Sequence, residues 1–447
     1  MQLQAAKDID DIYKAFRSQP LKVEEMDAFY EDVASARSNS NPRRRMKRLI
    51  KRSELNGEQI LFVGYKGSGK STELNHLEME LQDDFLVINF SVMSELDPVH
   101  LQYIELFIVT MEQLFHKADE EKLDIKKELL QRIANWGSTK EILKIRDEYF
   151  GAELEAGVEL KPEVPFLAKF FAKFKTSAKN SQSLKVSLKN NVEPKLSDLI
   201  EHCNDLIKEI RLALQKQGKE NLLIIIEDLD KIPPDRAEDL FFNYINQLTL
   251  LRAHVIFTFP VSLYHSIRFN QIRNYFTSIQ ELFIIKVAEK DGGKVEEGIE
   301  AMRQVVKARL EIDNFEEEII LEKMILKSGG CLRDLFYLIR EAAEFSLDDD
   351  REKINQSDYE KAYLRLKRDY ENTIADYMED GKVKYGAAQY YEVLNELAAS
   401  EDKNIENTEI ILHLRQNLCI LGYNGEGWYD VHPIVKDILK DRVNVSS

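Results

Sequence analysis

The chain's 447 residues are 44% hydrophobic and 32% charged, enough apolar material for about two to four domains and too much for a disordered chain. A net charge of −17 argues against a surface that binds nucleic acid over its whole extent. No apolar run approaches membrane-spanning length, and the opening MQLQAAKDIDDIYKAF lacks the basic-then-apolar order of a secretory signal. Cys203, Cys331 and Cys419 lie far apart without metal-ligand spacing, so reduced, buried thiols in a cytoplasmic protein are expected.

Residues 1–42 read as a helical N-terminal segment. RRRMKRLIKR, residues 43–52, then carries seven positive charges and no negative one. An apolar strand, Ile60 to Val63, leads into VGYKGSGKST, residues 63–72, where Gly64, Gly69, Lys70 and Ser71 satisfy G-x-x-x-x-G-K-[ST]. Leu74, Leu77 and Leu81 fall three and four apart, which predicts a helix over 70–81. Strand, glycine loop and helix in that order are the setting in which this pattern holds phosphate. The glycines let successive N–H groups turn inward on an anion, and the helix N-terminus adds its positive dipole. The expected nucleotide contacts are therefore Gly64, Lys66, Gly67, Ser68, Gly69, Lys70, Ser71 and Thr72. Lys70 would reach the β- and γ-phosphates of ATP, and the Ser71 hydroxyl would join the shell of a Mg²⁺ ion. A tight structural turn is the alternative.

DFLVINFSV, 84–92, predicts a second strand. The stretch at about 99–215 exceeds what a minimal core requires and reads as a helical and basic insertion. Residues 99–118 are apolar at helical spacing, and 122–150 continue as a charged helical extension. FLAKFFAKFKTSAKNSQSLKVSLKN, 166–190, carries six lysines and no acid. With Phe166, Phe170, Phe171 and Phe174 between them, it reads as a basic amphipathic element or a hairpin edge. Membrane-surface contact, nucleic-acid contact, partner docking and a packed insertion with edge-guarding lysines all fit it.

A helix over 196–217 leads into NLLIIIEDLDKIPP, 221–234. Leu222 to Ile226 has the continuous apolar character of a parallel strand buried on both faces. Glu227, Asp228 and Asp230 follow at its C-terminal end, where open α/β sheets bind ligands. Three carboxylates there need a cation or an arginine, and a solvated acidic turn before Pro233-Pro234 is the alternative. AHVIFTFP, 253–260, and ELFIIKV, 281–287, predict two further strands. Near the C-terminus, CILGY and WYDVHP flank Asn424-Gly425, a hairpin signal after two helical patterns.

With these motifs the chain resembles the AAA+ and STAND branch of P-loop ATPases, whose second motif is four apolar residues followed by two acids. Here the acids run Glu-Asp rather than the usual Asp-Glu or Asp-Asp. The resemblance implies an α/β P-loop NTPase core with a parallel sheet and helices on both faces (43–290), a helical lid (291–380) and a C-terminal winged-helix domain (381–447). It implies Mg²⁺-dependent ATP hydrolysis, with Glu227 on the Mg²⁺ water and Asp228 polarising the attacking water, or the reverse division. Thr258 would be the polar sensor of the fourth strand. Arg333, in the lid helix GGCLRDLFYLIREAAEF (329–345), would be the second sensor contacting phosphate. Arg268 and Arg273 would be arginine fingers in a homo-oligomer, or solvated surface groups. His432, before Pro433, resembles the winged-helix histidine that faces ADP in several STAND proteins. The basic run 43–52 would pack near the nucleotide base or join an accessory N-terminal piece, form a solvated helix face, or contact the DNA backbone.

Proteins of this layout look like bacterial regulatory or anti-phage defence ATPases acting on a separate effector. The alternative is a nucleic-acid remodeller similar to origin-recognition ATPases, reaching DNA through the basic segments. A third reading is a scaffold that binds ATP without turning it over.

Overall fold

A computed structural model describes residues 4–37, 41–53, 57–149, 160–191, 196–379, 381–423 and 427–446. Its centre is a sheet of five parallel strands: β1 (Gln59–Gly64), β2 (Phe85–Ser91), β3 (Asn221–Glu227), β4 (His254–Phe259) and β5 (Ser278–Leu282). They lie in the order β2-β3-β4-β1-β5. Alternate residues of β1 divide between the two faces, as a period of two demands. Ile60 and Phe62 pack with Met46 and Ile50 of the helix Pro42–Arg52, and with Leu74, Leu77 and Leu81 of the helix Lys70–Leu81. Leu61 and Val63 join the larger core on the opposite face. The glycine loop leaves the C-terminal end of β1, with the acids of β3 two strands away and β4 between them.

The fifth strand sits earlier than its sequence suggested. Pairing with β1 runs from Ile60↔Ser278 to Gly64↔Leu282 and stops where β1 becomes the glycine loop. The apolar residues beyond are buried in another way: Ile284 forms a bridge with Tyr423 of the C-terminal hairpin.

Between β2 and β3 the chain folds as helices: Tyr103–Glu120, Lys127–Gly137, Lys140–Tyr149, Val164–Asn180, Gln182–Asn191 and Leu196–Lys216. The lysine–phenylalanine segment is thus helical and not a hairpin edge. Phe170, Phe171 and Phe174 are buried, and Phe171 stacks on Phe115 with ring centroids 5.7 Å apart. Several of its lysines are spent inside the fold. Lys175 Nζ lies 2.5 Å from Glu95 and 3.3 Å from Glu112, while Lys185 lies 3.3 Å from Asp97 and 3.5 Å from Glu105.

After the sheet come the helices Glu296–Lys307, Glu318–Lys327, Leu332–Asp348 and Gln356–Thr373. A hairpin that the sequence reading passed over, β6 (Tyr377–Glu379) and β7 (Lys382–Tyr385), comes next, so the expected lid boundary at 380/381 falls between its two strands. Gly381 was its signal, a turn residue between residues of β-type. The helices Ala387–Ala399 and Glu409–Gln416 precede a second hairpin, β8 (Ile420–Tyr423) and β9 (Trp428–Val431), and a last helix, Pro433–Ser446. That hairpin pairs antiparallel as expected; residues 424–426 of its turn lie outside the described residues. All three cysteines are free and buried, and among the described residues no helix is long and apolar enough to cross a membrane.

Candidate nucleotide-binding site

The loop between β1 and the helix Lys70–Leu81 is shaped by its glycines in two different ways. Gly67 and Gly69 have φ of 79° and 100°, values that disfavour a side chain. Gly64 is needed for close approach instead: a Cβ there would stand 2.8 Å from the carbonyl oxygen of Leu282. Lys70 is buried, its ammonium donating to the carbonyls of Gly64 (2.8 Å) and Tyr65 (2.9 Å). Asp230 Oδ2 lies 3.0 Å from the same nitrogen. The pair is ionic but poorly aligned, and among the described residues neither Asp230 oxygen accepts a hydrogen bond although the residue is only 3% exposed. Ser68 Oγ, in the loop itself, is likewise buried without a partner among the described residues.

Glu227 closes the strand side. Burial pushes its carboxyl up to about 7, the Ser71 hydroxyl and Asn89 amide favouring the charged form and Asp228 opposing it. The serine of the loop thus lies near enough to the acid ending β3 to favour its charged form. The core is a P-loop NTPase fold.

Around this P-loop the chain builds a cleft from four elements, one of them the turn after β3 with Asp230 and Lys231. The loop supplies Lys66, Gly67 and Gly69–Glu73; the start of the lid supplies Leu332, Arg333 and Phe336; the segment 15–37 roofs it. That roof is tied down at several points. Leu21 N–H donates to Thr72 Oγ1 (3.4 Å) and Asn75 Nδ2 donates to the Leu21 carbonyl (2.8 Å). Tyr30 donates to Glu73 (3.0 Å). Arg37, 4% exposed, donates to the carbonyls of Ser68 (2.7 Å) and Phe283 (2.9 Å), while its Nε has no partner among the described residues. The cleft measures about 150 Å³, less than the roughly 300 Å³ at which small-molecule sites begin; admitting a nucleotide requires the roof or the lid to shift.

The other expected site residues fall at different distances from this cleft. Arg333 lines it, and a Cβ on Gly67 would meet Arg333 Cβ at 2.7 Å. Asp228 does not line it: with φ of 68°, it accepts from Ser91 Oγ (2.5 Å) and pairs with Lys231 (2.5 Å). Of the three acids at the end of β3, Asp230 is the one that lines the cleft. The Thr258 hydroxyl is engaged with main chain rather than the cleft, accepting from Leu229 N–H (3.0 Å) and donating to Ile226 O (3.4 Å). His432 is fully buried behind the lid, not in the cleft. Its Nε2 donates to Ser328 O (3.2 Å) and lies 3.3 Å from Asp334, its Nδ1 accepts from Ile434 N–H, and Tyr370 stacks on it. Arg268 pairs with Glu238 at 2.6 Å; Arg273 rims a different cleft.

Four lining cations escaped the sequence reading, the first being Lys231, just past the acids of β3. Arg37 and Arg17 belong to the roof, where no periodic pattern marks them, and Arg309 sits at the end of a lid helix, 5% exposed and brought down to about 10 by burial. Asp230 was visible as a third acid, but its orientation was not.

No protein-family model and no curated protein sequence matches the chain. Among solved structures it is similar to the Walker-type ATPase of Pyrococcus abyssi, at 13% identity and a TM-score of 0.43 over 95% of this chain and 99% of that one. It is also similar to the ORC1 protein of Aeropyrum pernix in complex with DNA (12%, 0.38, 91% and 92%). The RuvB Holliday-junction branch-migration motor of Thermotoga maritima gives 11% and 0.37 over 92% and 98%. Likenesses this remote assign no activity to the chain.

Proposed function

We propose that the chain binds ATP with Mg²⁺ in this cleft, hydrolyses it, and converts loss of the γ-phosphate into a movement of lid and C-terminal region. The observation that carries the reading is the convergence of the Lys70 ammonium, the Ser68 hydroxyl (without a partner among the described residues) and the Arg37 guanidinium on one glycine loop, with Glu227 near Ser71. Such a set neutralises a polyphosphate, and the oxygen donors suit a hard divalent cation. Ser71 and Glu227 would hold Mg²⁺, with Asp228 behind them, and the ion would supply positive charge against the negative charge that develops on the phosphates. Asp230, whose oxygens accept no hydrogen bond among the described residues, takes the water-orienting role that the resemblance gave to Asp228.

Coupling would run through consecutive residues of the lid. Arg333 touches the P-loop, and Asp334 accepts from Tyr370 (2.6 Å) and faces His432. A shift at Arg333 is thereby delivered to the C-terminal helices, and His432 would act as the link between them rather than as a nucleotide contact. Purified protein should release phosphate from ATP only with Mg²⁺, losing most turnover in Asp230→Asn and little in Asp228→Asn. ATP binding at ordinary affinity with no turnover would select the non-hydrolysing scaffold. The same protein loaded with ATP or ADP shows whether a separate effector, of the regulatory or defence kind, exchanges with nucleotide state.

A second reading, contact with nucleic acid, is favoured by the helix Pro42–Arg52. Arg43 is buried and bound to Glu73 and Glu80, Arg44 pairs with Asp32, and Lys47 and Lys51 pair with Glu80 and Asp84. Arg45, Arg48 and Arg52 are exposed, form no ion pair among the described residues, and recur at i, i+3 and i+7 on one helix face. If they meet phosphates, affinity for duplex DNA should fall steeply with salt. Changing all three to glutamine should then flatten the log–log slope by about three; no binding at low salt removes this reading.

A further inference from the structure

A second cleft, of about 380 Å³, opens between the edge of β5, the segment 264–273 and the C-terminal hairpin, and it shares no lining residue with the nucleotide cleft. Its chemistry is set by Tyr264, His265, Arg273, Glu281, Arg415 and Tyr429.

Arg415 is 1% exposed. Its Nη1 donates to Asn407 Oδ1 (3.0 Å), and the guanidinium lies 4.1 Å from the centre of the Tyr429 ring. It forms no ion pair among the described residues, and its Nε has no hydrogen-bond partner there. A buried guanidinium without a counter-charge is costly, because desolvation goes unrepaid. The nearby acid, Glu281, forms no ion pair with it among the described residues, and burial pushes its carboxyl up to about 7, Arg415 opposing. His265 is pushed down to about 3 by burial and by Arg415, so it is neutral near pH 7. Its Nε2, 3.9 Å from Glu281 Oε1, has no hydrogen bond among the described residues. Arg273, exposed on the rim, adds a second cation without an ion pair among the described residues. Aromatic rings wall the space, with Tyr264 against Phe269 at 5.0 Å and Tyr429 against His265 at 6.1 Å.

We infer that this cleft is a second binding site for a small organic anion, whose carboxylate or phosphate pairs with Arg415 and Arg273 while its planar body lies against Tyr264 and Tyr429. A guanidinium recognises both anion types through paired N–H donors, and flat rings accept a flat body at little entropic cost. The site adjoins the P-loop from behind. A Cβ on Gly422, in the hairpin, would stand 3.1 Å from Tyr65 Oη, and the Tyr65 carbonyl is one of the two that hold Lys70.

Trp428 lines the cleft, and the chain's other tryptophan, Trp136, is in the insertion, so tryptophan fluorescence reports occupancy. Benzoate, phenyl phosphate and inorganic phosphate are titrated with and without saturating ADP, with phenol and benzylamine as uncharged and cationic controls. At least one aromatic anion is expected to give a saturable change that ADP leaves in place and Trp428→Phe removes; which one separates a carboxylate site from a phosphate-ester site. Arg273→Gln, at an exposed position, should weaken it about tenfold, and Arg415→Gln about thirtyfold or more. No saturation by any anion at millimolar concentration overturns the inference. So does equal binding of phenol or benzylamine, or unchanged affinity in Arg273→Gln. Because the signal arises away from the P-loop, its failure is distinguishable from failure of ATP to bind.

Discussion

Lys70→Ala is expected to lower nucleotide affinity by about a hundredfold or more. The ammonium is buried at the centre of the P-loop, and the charge-assisted hydrogen bonds it would make to two phosphates are each worth roughly 1.5–3 kcal/mol. The substitution has a second effect that must be separated from the first. Asp230, 3% exposed and 3.0 Å from Lys70, is left as a buried carboxylate without its counter-charge, which costs about 3–5 kcal/mol when a buried pair is broken one-sidedly. Thermal unfolding without nucleotide should therefore show the single variant destabilised. Lys70→Ala combined with Asp230→Asn should regain most of that stability while nucleotide binding, measured by calorimetry, stays lost. Retained affinity in the double variant would remove Lys70 from the phosphates.

Glu227→Gln should leave ADP binding intact in the absence of Mg²⁺ and cut ATP turnover by about a hundredfold or more, the scale of removing one electrostatic contact at a reacting centre. It should also change stability with a definite sign. The folded carboxyl titrates near 7 and the free side chain near 4.5, so the folded state holds its proton more tightly. The corresponding stability is present below pH 4.5 and lost as pH rises through 7, about 3 kcal/mol in all. The amide has no such titration. Ligand-free Glu227→Gln should thus be more stable than the parent protein at pH 8, with the gap closing towards pH 5. A gap independent of pH would mean that Glu227 is not the buried acid beside Ser71.

What the sequence disclosed, and what it hid, divides along the range of the interactions. The helix Lys70–Leu81 and strands β1 to β4 lie within a residue or two of expectation because burial writes itself locally, as period two, period three to four, or a continuous apolar run. β5 was misplaced because Ile284, Ile285 and Val287 are apolar for another reason: they are buried after leaving the sheet. Apolarity reports burial, not pairing. The lysine–phenylalanine segment stayed open between readings because only its partners, Phe115 and Glu112 among them, decide which face turns inward. The acids of β3 were found by position, but a backbone φ of 68° at Asp228 turns that side chain towards Ser91 and leaves Asp230 to line the cleft. Arg37, whose contacts span 31 and 246 residues of chain, left no trace in any window.

In the proposed ATPase cycle the roof over the P-loop would act as a clock. Because residues 15–37 are stitched to the phosphate helix through Leu21 and Tyr30, and to the loop through Arg37, spent nucleotide would depart only as those stitches part. Loosening the amino-terminal strap would hasten exchange of ADP for ATP without touching the chemical step. Anything that grips the strap from outside would set the pace of the whole cycle.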